Sequence, residues 1–193
     1  MKILIVILLA TLAGFSAPMA LADRYKIDIE GQHAFVQFRV KHLGYSWLYG
    51  RFDDFQGEFT YDPSKPEAST INVTVDMTSL DSDHAERDKH VRSSDFLDVK
   101  KYSTAMFEST QIESTGEHTA KVTGNLTFFG TTKPITIDVE HVGGGADPWG
   151  GYRHGFEGRA ILRPAEFGLD LTKRLGPATA EVELMLTVEG IRL

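Results

Sequence analysis

The sequence predicts an all-β domain of about eight or nine antiparallel strands with one short helical insertion near residues 83–99. Three observations predict it. From residue 23 onward, apolar and polar residues alternate with period two in segment after segment, the pattern of half-buried strands. Clusters of Gly, Pro, Asp and Ser separate these segments, as short hairpin connections require. Only Ser82–Val99, SDHAERDKHVRSSDFLDV, breaks the alternation, because its charges fall at helical spacing.

Taken in order, the chain opens with Lys2, an apolar run from Ile3 to Leu9, and small residues ending Ala20-Leu21-Ala22. That is the charge, core and cleavage scheme of a secretory signal peptide, with cleavage expected after Ala22 and export to the periplasm. The apolar run is much shorter than the roughly 20 residues that span a bilayer. No stable membrane anchor is expected. Residues 23–193 suffice for one domain with a sizeable core. Without Lys2 the chain carries 19 basic against 27 acidic side chains, a net charge of −8. This balance argues against nucleic acid, whose phosphates need clustered Lys and Arg. The chain has no cysteine, which excludes disulfides, thiolate metal sites and lipid-modified cysteines.

Strands are expected over Tyr25–Ile29 and from Ala34, where Val36, Phe38 and Val40 share one face. Phe55, Gly57, Phe59 and Tyr61 share another, followed by Ile71, Val73 and Val75, and then by Ala105 to Ser109. Ala120, Val122, Gly124, Leu126 and Phe128 form the next, followed by Ile135, Ile137 and Val139, by Phe156, Gly158, Ala160 and Leu162, and by Val182, Leu184, Leu186 and Val188. Turn chemistry lies at Asp62-Pro63, Gly130 to Pro134, Gly143-Gly144-Gly145 with Asp147-Pro148, and Gly176-Pro177. His42 to Gly50 reads as an aromatic-rich loop joining two strands, either packed back on the sheet or forming a rim where amphipathic rings meet a ligand. Trp149 admits the same two readings. Two Asn-x-Thr sequons, at Asn72 and Asn125, fall inside strand patterns rather than in the loops glycosylation prefers.

Strands with one apolar face must hide it between two sheets or inside a sheet closed on itself. Small residues on these faces, Ala34, Gly57, Gly124, Gly158 and Ala160, favour a barrel that holds a small ligand. The same glycines also read as bends or bulges needed for closure. Both readings stand at this point.

The helical insertion is the first place to seek chemistry. Asp83 and Glu86 form a capping pair for a helix from about His84 to Arg92. Arg87 and His90 share a face. His84 and His90, six apart, lie about 240° apart around the axis, so they do not converge on a metal ion. His84-Ala85-Glu86 lacks the cysteine pair of a zinc deaminase, and Asp81-Ser82-Asp83 lacks the glycine of a calcium loop. Neither a Gly-x-Ser-x-Gly elbow nor a phosphate-binding loop occurs. No catalytic residue, metal site or enzyme activity is expected.

Several segments carry a resemblance. Phe38-Arg39-Val40-Lys41-His42-Leu43-Gly44, Gly50-Arg51-Phe52 and the run Glu86 to Val99 resemble the YceI family of exported bacterial proteins. So do Gly124-Asn125-Leu126-Thr127, Gly130-Thr131-Thr132-Lys133-Pro134 and Glu166-Phe167-Gly168. Leu97 stands where a second aromatic is common, and Ser103 where a proline often follows the tyrosine. The resemblance implies a single eight-stranded lipocalin-like antiparallel barrel over residues 23–193. It implies a long isoprenoid lipid, of quinone or polyprenyl-phosphate type, as ligand, with no other cofactor.

On that basis the barrel lining is expected to comprise Val36, Phe38, Val40, Phe59, Val73, Val122, Leu126, Phe128, Ile137, Phe156, Ala160, Leu184 and Leu186. The head-group end is expected at His42, Tyr45 and Trp47 with Arg87, His90 and Arg92, since Arg suits a diphosphate and His or Arg a quinone carbonyl. Alternatively Arg87, Asp88 and His90 form a structural hydrogen-bond cluster. The competing function is a stress-related structural or protein-interaction barrel with a filled core. Unclosed strand edges would allow a homodimer.

Overall fold

The computed structural model describes residues 22–193; the signal-peptide reading, residues 1–22, lies outside them except for Ala22. Eleven strands form one antiparallel sheet: β1 (Asp23–Ile27), β2 (Phe35–His42), β3 (Ser46–Phe52), β4 (Phe55–Tyr61), β5 (Thr70–Asp76), β6 (Leu80–Asp81), β7 (Thr104–Ser114), β8 (Thr119–Phe128), β9 (Thr131–Ala146), β10 (Tyr152–Leu162) and β11 (Val182–Arg192). Eight of them close on themselves in the order β1-β4-β5-β7-β8-β9-β10-β11, with β11 pairing back to β1. The helices are short, chiefly α1 (Ala85–Val91) and α2 (Thr172–Leu175).

β11 makes closure possible by changing partners along its length. Its residues Gly190–Arg192 pair with β1, whereas Val182–Thr187 pair with β2, so β2, β3 and β6 continue the wall at that end. The two ends of the barrel therefore differ. At the end where β2 and β3 meet, Met77, Leu80, Leu97, Val99, Phe128 and Phe167 pack into a buried plug. At the opposite end lie the β4–β5, β7–β8 and β9–β10 connections, and the wall there rests on Tyr25, Ile27 and Phe59. Tyr25 and Phe59 stack with centroids 4.9 Å apart.

The ladder between β9 and β10 ends at the Asp138–Arg159 pair. Beyond it, Thr131–Ile137 pair only with β8 and Ala160–Leu162 only with β11. Pro134, opposite Asn125 on β8, sits on this open stretch, where a missing N–H is tolerated.

Three expectations are corrected locally. His42 to Gly50 is not a loop but the tip and arms of the β2–β3 hairpin, turned by Leu43 and Gly44 at positive φ. The Gly143-Gly144-Gly145 run continues β9, and Thr131 to Pro134 belong to the same strand, the turn being Phe129-Gly130 with both φ positive. That pair of positive φ values is what a two-residue hairpin turn needs. On α1 the cap is His84, whose Nδ1 accepts from the Arg87 N–H at 3.2 Å; Asp83 instead takes positive φ, and its N–H donates to Asp81.

Candidate functional site

Period-two alternation turns one side chain in two towards the barrel axis, and those inward residues enclose a cavity of about 250 Å³. Every residue expected to line the barrel borders this cavity except Phe38, Val40, Phe128 and Ala160. Those four lie towards the plugged end. Phe38 packs on Phe52 and fills the space left by Gly50, where a Cβ would come within 2.3 Å of its ring. Phe128 belongs to the plug, Val40 lies opposite Val182 at the far end of β2, and Ala160 borders an outer hollow at the β9–β10 parting.

The small residues divide between their two readings. Gly158 borders the cavity. Gly57 and Gly124 serve close packing, since a Cβ there would lie 2.6 Å from the Asn72 carbonyl and 2.5 Å from the Glu108 carbonyl.

None of the six residues expected at the head-group end lines the cavity. Their elements gather at the plugged end, which corrects the choice of open end. Arg87 Nε donates to Ser82 Oγ at 2.7 Å and its terminal amino group to the Ser82 carbonyl. Arg92 donates to the Leu80 carbonyl at 2.6 Å. Both arginines thus satisfy backbone and side-chain acceptors around buried Asp88, which itself accepts from Ser82. His90 packs edge-on against Phe96 beside Asp95. At the hairpin, His42 ends β2, Trp47 lies beneath the Arg39 guanidinium at 4.2 Å, and Tyr45 is 87 % exposed.

The cavity reaches the surface at the other end, among Pro63, Pro66 and Ser69 of the β4–β5 connection and Gly116, Glu117 and His118 of the β7–β8 connection. There the lining turns polar. His141 borders the cavity, and its Nε2 lies 2.9 Å from Nδ1 of His154. His154 is buried amid Tyr25, Tyr61, Tyr152 and Phe156. Burial pushes both imidazoles below their ordinary pKa, and His118 and His141 add to the shift as neighbouring bases, against an opposing hydrogen bond to the Gly143 carbonyl. Neutral rings are the result at pH 7. The expected strand faces stop at Val139 and start at Phe156; one further step of the same alternation reaches both histidines.

Beside this mouth Arg153 gathers three carboxylates: Asp28 at 2.6 Å, Glu189 at 2.6 Å and Asp147 at 2.8 Å. Burial alone would raise the Asp28 pKa, but hydrogen bonds from His33, Arg153 and the Gly31 N–H outweigh it and hold Asp28 at about 2. Asp28, His33 and Glu189 have the spacing of metal ligands, but the guanidinium already occupies the position a cation would take. Trp149, 79 % exposed, projects from the β9–β10 turn with Arg153 5.7 Å from its ring.

Comparison with known proteins agrees with this architecture. Residues 25–190 match the YceI-like domain. The chain belongs to the YceI family. A UPF0312 protein of Pseudomonas aeruginosa (strain LESB58) is 58 % identical over 178 residues, 92 % of each chain. Among solved structures, Burkholderia cenocepacia BcnA superposes with a TM-score of 0.75 at 24 % identity, covering 84 % of this YceI chain and 98 % of that one. A polyisoprenoid binding domain from Saccharophagus degradans, implicated in plant cell wall breakdown, superposes with a TM-score of 0.64 at 15 % identity, over 90 % of this chain and 99 % of that one. At these identities the two structures establish the shared barrel fold.

Proposed function

We propose that this protein is an exported binding protein that holds a long-chain isoprenoid, of quinone or polyprenyl-phosphate type, inside its barrel for carriage or storage in the periplasm. The observation that carries the reading is the apolar cavity, closed by a side-chain plug at one end and open at the other. A flexible hydrocarbon chain suits such a space, because each buried CH₂ contributes about 0.8 kcal/mol. Ordering the chain offsets much of that gain, so affinity depends on how much of the chain enters. The binding domain from Saccharophagus degradans shares the fold, which supports the choice of ligand class.

Organic extraction of protein purified from its native compartment, followed by mass spectrometry, tests the reading. A bound long-chain isoprenoid is expected. An extract without lipid would instead favour a structural or protein-interaction barrel. Ala120 borders the cavity near its mouth, paired with Ser114 and Val139. Ala120→Trp is therefore expected to yield folded protein with little or no lipid in the same extraction.

A further inference from the structure

A second space adjoins the barrel cavity. Beyond the Asp138–Arg159 pair, where the β9–β10 ladder ends, a hollow of about 530 Å³ lies in the wall. Thr136, Ile161 and Met185 border it from the outer face, and Ile135, Ala160 and Leu184 from the inner one. Side chains of a strand alternate between the two faces of a sheet, so a groove on the outer surface would be bordered by the first three alone. This hollow therefore cuts into the thickness of the wall. Ile135 and Leu184 also border the barrel cavity and pack against the plug. The partition between the two spaces is thus a single layer of aliphatic side chains.

Nothing polar draws the parted strands together. Pro134 lies on the open stretch of β9 and has no N–H to give to a ladder. Asp138 turns to Lys121 on β8, and Arg163 turns to Glu181. Among the described residues no ion pair joins β9 to β10 past the end of their ladder. The cavity alone is about 250 Å³, below the roughly 300–1,000 Å³ of pockets that enclose drug-sized ligands. A long chain entering at the mouth outgrows it, and the plug stops that chain from continuing along the barrel axis. The direction left is sideways, between Ile135 and Leu184.

We propose that the β9–β10 parting is a side portal, gated by Ile135 and Leu184, that takes the tail of a lipid longer than the cavity. The inference rests on the lipid-binding reading and adds to it a second way through the wall. Turning the two gate side chains to other staggered rotamers joins the spaces, and the tail then lies along Ala160 and Leu162 in the hollow. A shorter chain ends inside the cavity and leaves the gate closed. The test is solanesol carrying a diazirine at its tail end, photolysed on the wild-type protein, with labelled residues mapped by mass spectrometry. Label is expected on residues 134–136 and 159–163, whereas farnesol with the same group should label β5 and β8 inside the cavity. In addition, Ala160→Phe, which fills the hollow beside the gate, is expected to weaken solanesol at least roughly tenfold more than farnesol. Solanesol label that spares both sides of the parting would overturn the portal, as would equal losses of the two prenols in a folded Ala160→Phe variant. Protein that takes up neither prenol would overturn the lipid-binding reading itself, and the portal with it.

Discussion

The guanidinium of Arg153 reaches Asp28, Asp147 and Glu189 together, so replacing it strands three carboxylates, two of them nearly buried. Arg153→Met is expected to lower stability by about 3 kcal/mol in urea unfolding. The same cluster sets an acid limit. Asp28 is held at about 2 against an ordinary 3.8; a carboxylate with a depressed folded pKa adds stability above its unfolded value that is lost as pH falls through the folded one. The melting temperature should therefore drop between about pH 4 and pH 2, and less steeply in Asp28→Asn. The histidine pair acts in a separate window. Burial depresses His154 and His141 below the ordinary 6.5, so the unfolded chain binds more protons and stability declines as pH falls below about 6.5. His154→Phe should flatten that part of the profile; an unchanged slope would show that the pair is not its source. These two residues were legible as inward positions, had the β9 and β10 alternation been extended past its apolar members. The Arg153 cluster was not, because it joins positions up to 161 apart that only closure of β1 against β11 brings together.

At the scale of elements, glycines distinguish two kinds of strand contact. A Cβ on Gly124 would press against a backbone carbonyl of β7 at 2.5 Å, beside the bulge between Ser109 and Gln111. On Gly158 it would meet only side chains, Ile137 at 3.1 Å and Leu186 at 3.3 Å, which can yield towards the cavity. Gly124→Ala should accordingly cost about 2 kcal/mol, and Gly158→Ala less than about 1 kcal/mol, as chemical unfolding can measure. Most strands were legible because their inward residues are apolar and regular. β3 was not, since its Trp47, Tyr49 and Gly50 do not alternate cleanly, and the two-residue β6 carries no pattern. The glycines of β9 signalled a turn but belong to a strand, where Gly144 leaves room for the His154 ring, 2.0 Å from where its Cβ would be.

For the whole molecule, the sequence indicated a barrel with small inward residues but not which end is open. Charge and aromatics at α1 and the β2–β3 hairpin drew attention to one end, whereas the plug of Leu80, Leu97, Val99 and Phe167 fills it. Such a plug is invisible as a pattern because most of its residues come from short irregular segments between strands or from the two-residue β6. A ligand that enters the remaining cavity binds only the folded state, so it should raise the melting temperature with concentration. The wall that surrounds it is a closed ring whose β9–β10 ladder parts at one end. Where β9 leaves β10 beyond Asp138 and Arg159, no ladder hydrogen bonds join the two strands and a hollow lies between them, so this end of the wall can flex without breaking a ladder. Hydrogen–deuterium exchange should find the backbone amides of Thr131–Ile137 and Ala160–Leu162 that face this seam exchanging faster than those of β7 and β8, and slowing when a thick chain wedges the seam taut. Uniform protection around the ring would mean a barrel of fixed bore, able to accept chains of only one thickness.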